Sequence, residues 1–276
     1  MPSSDEIVLD DRMFCLFKGD PGSGKSIAAA SYPEPYFFDL DGRMKSVANF
    51  WRPRGKKFHY DTYTSFAPLY KKLEQFLVYC PFGTLVYDGI TSGADSILDD
   101  MLAARGQTSK KKIMTGSIEK YQIEDYGGES RGLQMIVNKL KEISFLKNIH
   151  VIVTAHVLTT ESTDIKTKAT TTSRTLLTAG KKVAAKLPKD FDEAYHFDVR
   201  AEFGPDDPPK YTIVTRNTGL DWAKTALPLP MRIDFTDGSL YDIIMGHLKG
   251  KEFVHRVNNP GEQPTESLSA PLITDF

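Results

Sequence analysis

An α/β fold, in which helices cover a mostly parallel sheet and antiparallel strands are added late in the chain, follows from three features of the sequence. A complete G-x-x-x-x-G-K-[ST] phosphate loop, Gly19-Asp20-Pro21-Gly22-Ser23-Gly24-Lys25-Ser26, lies between an apolar run and a small-residue segment of helical character. Short apolar runs then alternate with stretches of helical periodicity, the pattern of parallel β-α units with helices on both sheet faces. Finally, the apolar runs end in acids and a histidine, and ligands of such sheets sit beyond the carboxyl ends of the strands.

Residues 13–17 read as a buried strand entering the phosphate loop, and residues 26–30 as the helix leaving it. A second buried strand spans 36–41 and ends in Asp39 and Asp41, and a shorter one spans 57–60. From Ser65, the residues Phe66, Leu69, Tyr70, Leu73, Phe76 and Leu77 recur at helical spacing and give one apolar face. Residues 84–88 form the next strand, closed by Asp88. The stretch 102–128 is polar and glycine-containing and reads as a flexible segment. A second amphipathic helix carries Leu133, Ile136, Val137, Leu140 and Ile143 on one face. The strand at 149–156 ends in His156. Residues 158–189 turn rich in Thr, Ser and Lys and read as a second flexible segment. Strands over 193–202 and 210–216 are joined by a Gly-Pro turn and predicted to be antiparallel. A short helix over 239–248 closes the domain, which spans 1–249. The polar, proline-containing stretch 250–276 reads as a disordered tail.

The phosphate loop identifies a nucleoside triphosphate site. Its glycines let backbone N–H groups curl around phosphate oxygens, and the following helix N-terminus adds a favourable dipole. Lys25 reaches the β- and γ-phosphates and the Ser26 hydroxyl ligates Mg²⁺; Gly19, Pro21, Gly22, Ser23, Gly24 and Ile27 complete the nucleotide-contacting set. Asp88 stands where an acid is needed to hold the Mg²⁺ hydration shell. Asp41, favoured over Asp39, would orient the attacking water, because phosphoryl transfer is mostly positioning and electrostatics. His156, at its strand end, is either structural or a group that senses the γ-phosphate. The six histidines show no zinc-ligand spacing.

Two basic segments fall at the same edge. One holds Arg105, Lys110, Lys111 and Lys112. The other, 158–189, carries seven positive residues, including Lys166, Lys168 and Arg174, against two negative, a net of +5 in a chain whose total is −1. Lysines interleaved with Ser and Thr suit phosphate-backbone contact without sequence reading, although solvated loops have the same composition. Arg216 and Lys224 are alternatives for a positive finger reaching a neighbouring subunit's γ-phosphate. Cys15 and Cys80 lie in apolar surroundings and read as reduced core residues, which fits a cytoplasmic compartment. The acidic N-terminus lacks an apolar signal core and no apolar run approaches a membrane span, so neither secretion nor membrane insertion is expected.

Taken together, GDPGSGKS at 19–26, FFDLDG at 37–42, TLVYDGITS at 84–92, YGGESRG at 126–132, VIVTAHV at 151–157 and KLPKDFDEAYH at 186–196 resemble the RecA-like ATPase core. The closer resemblance is to phage-encoded RecA-like nucleotide-binding proteins, including those linked to single-strand annealing. It covers about residues 12–235 and implies a RecA-like P-loop core using ATP and Mg²⁺. It implies Asp41 as the catalytic acid and His156 as the γ-phosphate sensor, and the basic segments match DNA-contacting loops by position. Subunits stacked in a ring or filament would use a basic residue in trans, which favours Lys224. The terminal Asp275-Phe276 resembles the tips of bacterial single-strand-binding proteins. The expected partners are therefore single-stranded DNA, further copies of the chain and a single-strand-binding protein, in the host cytoplasm. A helicase loader or DNA motor on the same core, or a nucleotide-gated assembly protein with a protein partner, are the alternatives.

Overall fold

The computed structural model describes residues 12–104, 123–163, 170–178, 181–200, 209–236 and 238–248. The strand before the phosphate loop, β1 (Phe14–Gly19), is buried along its whole length, as are β2 (Pro35–Asp39) and β4 (Thr84–Asp88). Near-continuous apolar runs of this kind belong to parallel strands covered on both faces. Between them in sequence, β3 (His59–Thr62) is exposed and only four residues long, which suits an edge strand. The strands β5 (His150–Ala155), β8 (Glu193–Arg200), β9 (Lys210–Val214) and β10 (Arg232–Asp234) complete one eight-stranded sheet in the order β10-β9-β8-β1-β5-β4-β2-β3. From β8 to β3 every pairing is parallel; β9 is antiparallel to β8, and β10 to β9. This is the expected α/β P-loop core, mostly parallel, with its antiparallel strands late in the chain.

Alternation along the strands splits the core in two. Phe14, Leu16, Phe38, Leu85, Val151 and Val153 face α3 (Phe66–Val78), α4 (Ile90–Ala104) and α5 (Ile123–Lys147). Cys15, Phe17, Phe37, Val86 and Ile152 face α1 (Lys25–Ala29), α2 (Met44–Trp51) and α7 (Leu240–Leu248). Each fully buried Phe, Leu or Val side chain contributes on the order of 1.5–3 kcal/mol, so both layers hold the strand ends in fixed register. Cys15 and Cys80 are free thiols, the first buried and the second half-buried.

Two expectations change. The polar stretch 102–128 is largely helical at its borders: α4 continues to Ala104 and α5 starts at Ile123. Glycines in YGGESRG are not loop residues, since a Cβ on Gly128 would meet Met101 at 2.3 Å and one on Gly132 would meet Ile97 at 2.8 Å. They let α4 and α5 approach closely. The segment 158–189, read as flexible, instead forms an antiparallel hairpin of β6 (Val157–Thr163) and β7 (Thr170–Leu176), followed by α6 (Lys181–Lys186) and a 3₁₀ turn at Leu187–Asp190. Its threonines carry high β propensity, and a two-stranded, largely exposed ribbon needs no apolar alternation. Helices α2 and α4 and strand β10 were not assigned from the sequence. Lys110, Lys111, Lys112, Lys166, Lys168 and the tail 250–276 lie outside the described residues. Among those described, no helix is long and apolar enough to cross a membrane.

Candidate nucleotide site

The phosphate loop leaves β1 at Gly19, where a Cβ would stand 2.4 Å from the Phe197 carbonyl oxygen, so only glycine fits. Gly24, at the N-cap of α1, has φ +88° and could not take that conformation cheaply as another residue. Because α1 is only five residues long, the loop's own amides rather than a long helix dipole supply the anion-binding character. Pro21 and Gly22 are exposed at the tip, and the Ser23 hydroxyl donates to the Asp20 carbonyl at 2.8 Å, fixing the turn. Ile27 is anchored through its carbonyl, which accepts Trp51 Nε1–H at 2.9 Å.

Lys25 is buried and folds back on the loop: Nζ donates to the carbonyls of Gly19 (2.9 Å) and Asp20 (2.8 Å) and lies 3.4 Å from Ser23 Oγ. Burial pushes its ammonium down from 10.5 to about 8, against the attraction of Asp88, Asp20 and Asp41. At the end of β4, two strands away from β1, buried Asp88 accepts hydrogen bonds from Ser26 Oγ at 3.1 Å and Thr154 Oγ1 at 2.5 Å. Burial raises its carboxyl above the usual range, and the nearby Asp41 adds to the rise, while the two hydroxyls and Lys25 oppose it. A hydroxyl and a carboxylate this close form a hard oxygen donor pair, and they fit Mg²⁺.

Asp39 and Asp41 separate cleanly. Asp39 is buried and spent on its own turn, accepting the amides of Gly42 (2.8 Å) and Arg43 (3.3 Å) and the Thr62 hydroxyl (3.4 Å). Asp41 is half-buried, accepts the Ser92 hydroxyl, and has Oδ2 3.8 Å from His156 Nε2. His156 beside it holds the Asp41 carboxyl below the usual carboxylate range; the Ser92 hydrogen bond assists and burial opposes. Asp41 is thus held ionised between Ser92 and His156. His156 lies between β5 and β6, and its carbonyl accepts the Leu177 amide at 2.8 Å, closing the root of the hairpin on the site.

The structure therefore brings Lys25, Ser26, Asp88, Asp41 and His156 to the carboxyl ends of the strands. The sequence reading missed Thr154 and Ser92; VTAH placed a hydroxyl two residues before the histidine, on the strand face opposite its neighbours, and that was the available signal. Arg174 does not stand free: its Nη1 donates to Asp221 Oδ1 at 2.5 Å and lies 3.3 Å from His196 Nε2. Lys224 is half-buried, with its backbone exchanging two hydrogen bonds with Ala194 (2.9 and 3.0 Å). Arg216 is exposed and reaches the Leu229 carbonyl at 3.3 Å.

No curated protein matches the chain. A family model described as an AAA domain matches residues 12–227, from the approach to β1 through the phosphate loop, Asp41, Asp88 and His156 and past β9. The chain belongs to this AAA-domain family, nucleotide-binding domains of the P-loop ATPase type.

Proposed function

We propose that this protein is a Mg²⁺-dependent ATPase that acts on single-stranded DNA as a ring or filament, in annealing or strand exchange during phage recombination. The observation that carries the reading is the Asp41–His156 pair, 3.8 Å apart and seated at the root of the β6–β7 hairpin. In it a water-orienting carboxylate, a γ-phosphate contact and the first residue of a projecting ribbon are nearly contiguous.

In this mechanism Lys25 exchanges the Gly19 and Asp20 carbonyls for β- and γ-phosphate oxygens. Ser26 and Asp88 would hold a Mg²⁺ ion, which would supply charge neutralisation on the phosphate oxygens. Asp41 is held ionised, so it aligns the attacking water rather than storing its proton. His156 hydrogen-bonds the γ-phosphate and moves when that group leaves, and the motion passes to the hairpin it anchors. Lys224, or the more exposed Arg216, would complete the charge stabilisation from a neighbouring copy.

The test is ATP hydrolysis with and without a single-stranded oligonucleotide, with Lys25→Ala as the blank. Stimulation by the oligonucleotide supports the DNA reading; hydrolysis indifferent to it keeps the ATPase and removes DNA. A second reading, a nucleotide-gated assembly protein with a protein partner, is favoured by one observation. The described exposed residues of the hairpin are mainly Thr and Ser with Leu158 and Glu161, and its one arginine is committed to Asp221.

A further inference from the structure

Behind the phosphate loop, on the sheet face that carries Leu16, lies a cluster of charged residues that the nucleotide mechanism does not use. Lys18, the residue before Gly19, is fully buried and paired in register with His196 of β8 on one side and Ala155 of β5 on the other. Among the described residues its Nζ has no hydrogen-bond partner; it sits 4.2 Å from the centroid of the Trp222 ring. His196 is also buried, and its Nε2 lies 3.4 Å from Asp221 Oδ1. The same Oδ1 takes Arg174 Nη1 from the hairpin at 2.5 Å. Asp221 is held from its own side by local bonds: its amide donates to Thr218 Oγ1 (3.1 Å), and the Gly219 amide donates to Asn217 Oδ1 (2.8 Å).

We propose that Asp221 is a positioning residue that ties the β6–β7 hairpin to β8, the strand paired with β1 beside the phosphate loop. Arg174 of the hairpin and His196 of β8 meet at its Oδ1, while Lys18 of β1 packs over the ring of the adjacent Trp222. The other group facing them is Asp198, further along β8, which already accepts Arg200 Nε at 3.0 Å. His196 stays neutral, because burial and Lys18 push it down to about 4, so it leaves Asp221 as the counter-charge. Burial likewise pushes Lys18 down to about 8, and Asp221 opposes that fall. Because Arg174 and His196 meet at one oxygen, the two contacts are interdependent: a shift of β8 with its neighbour β1 changes the grip on Arg174, and withdrawal of Arg174 frees that oxygen. Removing the carboxylate would leave Arg174 without its ion pair near the buried Lys18, a costly arrangement.

The tie between hairpin and strand stands on this geometry alone; its response to nucleotide rests on the ATPase reading. The experiment is hydrogen exchange of the β6–β7 amides in the full chain, with and without ATP and Mg²⁺, alongside direct ATP binding. Wild type is compared with Asp221→Asn, Asp221→Glu and the reversed pair Arg174→Asp with Asp221→Arg. Without ATP, Asp221→Asn should exchange its hairpin amides at least about tenfold faster, with Asp221→Glu and the reversed pair recovering much of the protection. With ATP, wild type should show a changed hairpin exchange that Asp221→Asn loses, while ATP affinity stays within about threefold, since Lys25, Ser26 and Asp88 are untouched. Unchanged hairpin exchange in Asp221→Asn without ATP overturns the tie. ATP bound normally with the full hairpin response in Asp221→Asn overturns the coupling. If wild type binds no ATP, the ATPase reading fails, and the ATP-free comparison still decides the tie.

Discussion

At the scale of single residues, the pKa values of Lys25 and Asp41 are both pushed down, with opposite consequences for charge. Lys25 is buried against carbonyls, so its ammonium titrates near 8 instead of 10.5, whereas Asp41 is held ionised by His156 and Ser92. A folded-state value below the unfolded one means that the unfolded chain binds more protons, so the Lys25 contribution to stability is unfavourable below about 8 and is relieved as pH rises towards 10.5. Nucleotide phosphates favour the charged amine and raise its value, so binding takes up a proton. ATP affinity should therefore weaken above about pH 8, by up to roughly tenfold per unit, when followed by direct binding titration. Repeating the titration in Lys18→Met separates the second lysine, which titrates in the same range. A flat affinity across this window would contradict the assignment of Lys25. The loop, Asp88 and His156 were legible in the sequence because each closes an apolar strand. The sequence favoured Asp41 over Asp39 without showing why: Asp39 is spent on its own turn, where the amides of Gly42 and Arg43 fold back on it. The Lys18 cluster was hidden for a different reason. Its members come from four separate segments, and the one sequence sign was a lysine closing an otherwise apolar strand.

At the scale of elements, strands buried on both faces were readable from continuous apolar runs, and the hairpin was not, because threonine-rich exposed strands look like loops. Helix α4 could have been read from Ile90, Ala94, Ile97, Leu98 and Leu102, which share one buried face. Its packing against β4 is tight at Gly93, where a Cβ would stand 1.9 Å from the buried Tyr87 hydroxyl. Among the described residues that hydroxyl has no hydrogen-bond partner. Gly93→Ala should thus destabilise the fold by about 1–3 kcal/mol through overpacking. Tyr87→Phe alone should cost under about 1 kcal/mol, because it removes a buried polar atom that gains nothing. In combination the two should be less destabilising than their sum, which denaturant unfolding of the four proteins measures. Additive losses would show that Gly93 and Tyr87 do not meet.

At the scale of the whole molecule, the carboxyl ends of the strands gather the site residues, and the β6–β7 ribbon leaves from His156. A net charge of −1 gives no general attraction to nucleic acid, so any DNA affinity has to come from local lysines such as Lys110, Lys111 and Lys112. Replacing these three with Ala should weaken single-strand binding and flatten the slope of log affinity against log salt by about 2, the counterion release of three phosphate contacts. An unaltered slope would leave that segment without a DNA role. The proposed mechanism divides the labour, with Lys25 binding the nucleotide and Asp41 serving only the chemical step. ATP binding and single-turnover hydrolysis, measured side by side with Mg²⁺ for wild type, Lys25→Ala and Asp41→Asn, test it most directly. Lys25→Ala should lose both, and Asp41→Asn should bind ATP within a few-fold of wild type yet hydrolyse it about 100-fold more slowly, as expected when the attacking water is no longer held in line. Wild-type hydrolysis by Asp41→Asn, or unimpaired binding by Lys25→Ala, would contradict it.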